Sequence, residues 1–180
     1  RVLPLRRAVV EENLGIAFGD LDDAARRRLL HGIYRHTILF LFESARLMRL
    51  KPEEILAAVD DPSGAAEQLL RMQTGNRGFV LPTGHYGNWE WLGAWTALVL
   101  GRPFGAVFKP MHHVPANRLM IEQRQRLGIR PFSTRTTRPH HILAFVRSGG
   151  VLGILSDQDA RRRGEFLPFF GREASTAIGL

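Results

Sequence analysis

The chain has 180 residues, of which 44% are hydrophobic and 23% charged, the proportions of an ordinary folded domain able to bury a core. It contains no cysteine, which excludes disulfides, thiol nucleophiles and thiolate zinc sites. The net charge is +8, and Lys51 and Lys109 are the only lysines among 25 basic residues, so arginine carries the excess. Arginine favours planar, bidentate contacts with phosphate and carboxylate. That points to anionic partners: phospholipid head groups, phosphorylated glycolipids, acidic carrier proteins or nucleic acid. The plain alternative is a solvated basic surface.

Residues 1–75 read as a helical N-terminal segment. Asp20, followed by Asp22 and Asp23, is a good helix start. Leu30, Ile33, Tyr34, Thr37, Ile38, Leu41, Ala45 and Met48 then recur at helical spacing. Leu39, Phe40 and Phe42 widen that stripe; core packing is the favoured reading, with lipid contact as the alternative. Pro52, before Glu53 and Glu54, suits a first helical turn, and Asp61-Pro62-Ser63-Gly64 opens another helix. No stretch approaches 18 uncharged apolar residues, and no signal peptide opens the sequence.

From Arg77 onward short apolar runs alternate with helical patterns. The expected strands are Gly78–Leu81, Pro103–Phe108, Gly128–Phe132 and Val151–Leu155, and the expected helices Trp89–Leu100, Ala116–Leu127 and Pro139–Ser148. Such alternation predicts an α/β fold, a largely parallel central sheet flanked by helices, over residues 76–180. The two segments read as parts of one domain overall. Ligands of such sheets bind outside the carboxyl ends of the strands, where His85 and Asp157 both fall.

His85-Tyr86-Gly87-Asn88-Trp89-Glu90 occupies the loop between the first strand and its helix. On a continuous helix five residues turn through about 500°, so His85 and Glu90 would point roughly 140° apart. They act together only if His85 precedes the helix and Asn88 or Gly87 caps it, leaving Glu90 in the first turn, where a carboxylate suits the helix dipole. A histidine there can take a proton near neutral pH, and the carboxylate can stabilise the imidazolium. A surface histidine and an unrelated helix-start glutamate are the alternative.

Thr83-Gly84-His85-Tyr86-Gly87-Asn88-Trp89-Glu90 resembles the H-x4-D/E block of the lysophospholipid acyltransferase superfamily, closest to the lipid A late acyltransferase branch. Asn117-Arg118-Leu119 leading to Arg124-Gln125-Arg126-Leu127-Gly128 is similar to the second block, and Gly150 to Asp159 to the third. Phe166-Leu167-Pro168-Phe169-Phe170-Gly171-Arg172 with Ala174-Ser175-Thr176 resembles the fourth, and Glu12 to Leu21 is similar to an upstream stretch of the branch.

The resemblance implies a glycerolipid acyltransferase-like fold and transfer of a fatty acyl group from a thioester donor, acyl carrier protein or CoA, to a hydroxyl of a glycolipid or lipid A precursor. It implies no cofactor and no metal. Family members are longer at both ends, so the resemblance also implies truncation at the C-terminal end and an N-terminal anchor outside this stretch. The expected location is the cytoplasmic face of the inner membrane, against an anionic lipid surface, with no nucleic-acid partner.

In that scheme His85 is the general base and Glu90 its partner. Arg124 matches the second-block arginine, for phosphate binding or support of the charged site, with Asn117 and Arg126 beside it in substrate binding and Arg118 and Lys109 on the same basic face. Asp157 matches the third block and positions the acceptor or an arginine, while Asp159 caps the following turn. With no cysteine and no Gly-x-Ser-x-Gly elbow, direct attack on the thioester is more economical than an acyl-enzyme on Ser156. Arg161-Arg162-Arg163 is a solvated loop or a head-group contact, and Phe169-Phe170 core or the wall of an acyl tunnel. The adjacent pairs His112-His113 and His140-His141 lack the spacing that metal ligands on regular elements prefer. A non-catalytic basic module binding anionic membranes or nucleic acid is the competing reading; its binding would fall with salt whatever stands at position 85.

Overall fold

Four short apolar runs, each but the last followed by a helix, form one parallel sheet: β1 (Val80–Thr83), β2 (Phe104–Phe108), β3 (Ile129–Ser133) and β4 (Val151–Leu155), in the order β1-β4-β2-β3. The computed structural model describes residues 6–73 and 75–177. Ahead of the sheet come α1 (Arg7–Phe18), α2 (Asp23–Leu47), α3 (Pro52–Ala57) and α4 (Ala65–Arg71). The crossovers are α5 (Trp89–Leu100), α6 (Val114–Arg126) and α7 (Pro139–Arg147). After β4 a short 3-10 turn at Arg161–Arg163 leads into an antiparallel hairpin, β5 (Glu165–Phe169) and β6 (Arg172–Thr176). The chain gathers into two compact units. One takes the residues up to Glu43 and those from Asp157 on; the other runs from Ser44 to Ser156 and holds the parallel sheet.

The sheet is buried by side chains that alternate between its faces, as a strand's two-residue period requires. On one face Phe104, Ile129 and Val151 pack with Leu47, Ile55, Ala94, Ala97, Leu100 and Leu127. On the other, Phe132 and Leu152 pack with Ile142 and Phe145 of α7. Gly105 makes the second cluster possible: a Cβ there would stand 2.6 Å from Cε2 of Phe132 and 3.0 Å from Cε1 of Phe145. The two rings meet edge to face instead, with centroids 5.1 Å apart. β1 begins at Val80, two residues later than expected, and Gly78 ahead of it runs so close to the end of α7 that a side chain there would collide with the carbonyls of Gly150 and Val146.

Two expectations from apolar patterning are corrected. The stripe on α2 is largely uncovered: Ile38, Leu41 and Phe42 are 47%, 61% and 72% exposed. Of the helix, only Leu47 is fully buried. Phe169 and Phe170 are not core: they sit exposed at the end of the hairpin, where they line a cavity of about 420 Å³ with Asn13, Ile16 and Ala17 of α1. Periodicity identifies an apolar face but carries no information about what covers it.

The cap of α4 is made from a distance. Gly64 stands at the N-cap position with a left-handed backbone and offers no side chain. The Asp61 carboxylate supplies the acceptors, taking hydrogen bonds from the Ala65 and Ala66 amides at 2.8 Å each. Those amide hydrogen bonds, Ala66 first, hold its pKa below the usual carboxylate value of 3.8. A carboxyl whose pKa is lowered by folding stabilises the fold above its unfolded pKa, and loses that contribution as pH falls through the folded value. Asp61→Ala should therefore be less stable than the parent at neutral pH, and the gap should close as pH falls below about 4. Thermal unfolding followed between pH 7 and pH 3 measures it; a gap independent of pH would mean that Asp61 acts through packing.

Candidate active site

The loop after β1 is built to start a helix. Gly87 takes φ +59°, in the left-handed region, and Asn88 follows as N-cap, its side-chain oxygen accepting from the Trp91 amide at 3.3 Å. Glu90 then lies in the first turn of α5, as its spacing predicted. His85 precedes the helix, half-buried, with its ring edge to face against Trp89 at a centroid distance of 4.8 Å. Tyr86, between them, is 91% exposed.

Glu90 is held from α6. Arg124 binds it with two parallel hydrogen bonds, Nη2 to Oε1 at 2.6 Å and Nε to Oε2 at 3.2 Å. The side chains are only 13% and 17% exposed, so the pair is shielded enough to be strong. The Arg124 guanidinium also lies 5.6 Å from the centre of the Phe108 ring. Its remaining nitrogen, Nη1, is buried and without a hydrogen-bond partner.

Both charged residues reach into a cavity of about 320 Å³ between the sheet and helices α4 and α5. Leu69 of α4 and Met72 just after it, Trp89, Gly93 and Thr96 of α5, and Phe104, Ile129 and Leu155 of the sheet line it. Trp89 touches both this cavity and His85, linking the imidazole to the apolar space.

The remaining candidates separate by role. The Asn117 side-chain oxygen accepts from the Met111 amide at 2.9 Å and fastens the turn that opens α6. Arg126 donates to the carbonyls of Leu47 and Leu50 at 2.9 and 3.0 Å, anchoring the far end of α6 to the end of α2. Arg118 pairs with Glu122 on the exposed side of the same helix, and Lys109 is exposed. His113 caps α6, Nδ1 accepting from the Ala116 amide at 3.3 Å, while the rings of His140 and His141 meet edge to face. Asp157 follows β4 by two residues. Thr83 and Leu155 are register partners and the Ser156 amide donates to the Thr83 carbonyl at 3.2 Å, so the segments leading to His85 and Asp157 leave the sheet side by side.

A four-stranded parallel sheet flanked by helices, with a partly open apolar cavity beside the capped loop after its first strand, is the arrangement of an α/β acyltransferase fold. Over residues 1–180 the sequence matches the family described as bacterial lipid A biosynthesis acyltransferase, and the chain belongs to that family. It is accordingly an enzyme, an O-acyltransferase. No curated protein matches it.

Because each partner neutralises the other, removing one leaves a shielded charge. Glu90→Met and Arg124→Met should each cost roughly 3 kcal/mol, the low end for a buried pair since both keep some exposure. The double variant should recover most of that loss, because an apolar pair of similar volume needs no desolvation. Urea unfolding of all three separates coupled from additive losses; additive losses would mean that the two residues stabilise independently.

Proposed function

We propose that this enzyme moves a fatty acyl group from a thioester of acyl carrier protein or coenzyme A onto a hydroxyl of a lipid A precursor or related glycolipid, with His85 as general base. The observation that carries the reading is the Glu90–Arg124 pair, set in the wall of an otherwise apolar cavity beside the His85 loop. His85 takes the proton of the acceptor hydroxyl as its oxygen attacks the thioester carbonyl. The tetrahedral intermediate collapses with cleavage of the C–S bond, and the departing thiolate takes the proton back from the imidazolium. Glu90, held in place by Arg124, supplies the negative charge that favours that imidazolium.

Arg124 has a second task in this scheme. With Nη1 buried and unpaired, it can donate to an anionic oxygen of donor or acceptor without releasing Glu90. Asp157 positions the acceptor. Asn117 and Arg126 serve indirectly, by fixing the helix that presents Arg124. The cavity receives the acyl chain: at the ~30 Å³ that a water-sized group occupies in a liquid, its 320 Å³ holds on the order of ten methylenes. The enzyme acts at the cytoplasmic face of the inner membrane. Among the described residues no helix is long and apolar enough to cross a membrane, and the +8 charge suits an anionic lipid surface.

His85→Ala should lower acyl transfer by about 10²- to 10⁴-fold with the unfolding transition unchanged. Single-turnover assays on purified protein with acyl carrier protein and CoA thioesters read this, and near-parental rates would remove His85 as the base. Cavity volume has its own test at Gly93, where an added Cβ has no neighbour closer than Ile129 Cδ1 at 4.0 Å. Gly93→Leu should shift preference toward shorter acyl donors, by about tenfold or more for two to three excluded methylenes. An unchanged chain-length profile would place the acyl chain elsewhere.

A further inference from the structure

The hairpin after β4 takes no part in the site described above, yet its sequence is unusual for a surface ribbon. Phe169 pairs with Arg172, so Phe170 and Gly171 form a two-residue turn, with φ +49° and +72°. Hairpin turns with positive φ at both central positions favour Asn-Gly, because asparagine and glycine tolerate the left-handed region. A phenylalanine there is sterically disfavoured, and here its ring is 55% exposed. The chain thus tolerates local strain to present an aromatic ring to the outside.

The neighbours extend the patch. Phe169 is 63% exposed and meets Phe170 edge to face, while Phe18 at the end of α1 lies 5.9 Å from Phe170 and is itself half exposed. Phe166 and Leu167, on opposite faces of β5, are 57% and 42% exposed, so β5 shows apolar side chains on both faces, while the tip of the ribbon borders a cavity against α1. A two-stranded ribbon of this kind is marginal in water and gains from being covered. Charge surrounds it: residues 161–176 include four arginines and two glutamates. Arg172 stands opposite Phe169, and the basic turn is tied to the base of the hairpin, where Ser175 Oγ donates to the Arg161 carbonyl at 2.5 Å and the Ala160 amide donates to the Ser175 carbonyl.

Exposed aromatics with arginine at either end of the ribbon suit the interfacial layer of an anionic bilayer: rings at the acyl boundary, guanidinium groups on lipid phosphates. We propose that the β5–β6 hairpin seats the enzyme on the membrane, with Phe169 and Phe170 entering the interfacial layer while Arg172, Arg161 and Arg162 meet anionic head groups. The inference rests on the reading that the enzyme works on a lipid acceptor at a bilayer.

Phe170→Asn gives a direct test, because it creates the preferred Asn-Gly turn while deleting the ring. In the full chain it should leave the melting temperature equal or higher, leave the size in solution unchanged, and weaken binding to phosphatidylcholine vesicles containing phosphatidylglycerol by about tenfold. Phe169→Ser added to it should weaken binding further, and pure phosphatidylcholine vesicles should bind the parent less well. If the parent sediments with anionic vesicles and both variants sediment equally, membrane association stands and the hairpin assignment falls. A lowered melting temperature or altered oligomeric size, with vesicle binding unchanged, would show that protein covers these rings and would overturn the proposal. If the parent binds no vesicle, the membrane reading fails, and the hairpin assignment with it.

Discussion

The bidentate contact between Glu90 and Arg124 is the constraint on which the site depends. A carboxylate and a guanidinium at this depth lose much of their hydration, and only a well-formed pair restores what is lost. The contact joins residues 34 positions apart, on the first turn of one crossover helix and the last turns of the next. It therefore fixes how α5 and α6 lie over the same face of the sheet. The loop carrying His85 is held between β1 at one end and the Asn88 cap at the other, so its position follows from that of α5.

Much of this was legible in the residues. Trp89–Leu100 and Val151–Leu155 fall where their patterns place them, because long apolar periodicity and β-branched runs reflect burial directly. The Asn88 cap and the first-turn position of Glu90 follow from local chemistry alone. What could not be read was the identity of long-range partners. Arg124 and Arg126 are chemically identical and two residues apart, yet one grips a carboxylate in the cavity wall and the other closes off backbone carbonyls of Leu47 and Leu50. Which way each points depends on the rotation of α6, which no short pattern encodes. Likewise, Leu69 of α4 and Met72 at its C-cap join the cavity from upstream in the chain, with no local signal linking them to the His85 loop.

The apolar residues of α2 and of the hairpin mark a different limit. Their hydrophobicity is plain in the sequence, and burial against the rest of the chain is the ordinary inference from it. In the fold they are exposed, and the buried clusters on the two faces of the sheet draw on none of them. An apolar surface left over after the core is complete is a statement about surroundings rather than about folding.

β1 sits at the edge of the sheet with a single partner, β4, which is the last of the four strands in the chain. The strand that launches the His85 loop therefore has nothing to pair with until everything through Leu155 has been synthesised. Strands β2 and β3, by contrast, are neighbours in both sequence and space and can zip early. The His85 loop is consequently among the last parts of this unit to be ordered. The wall of the cavity and the completion of the sheet therefore arrive in one late event, when β4 slots between β1 and β2.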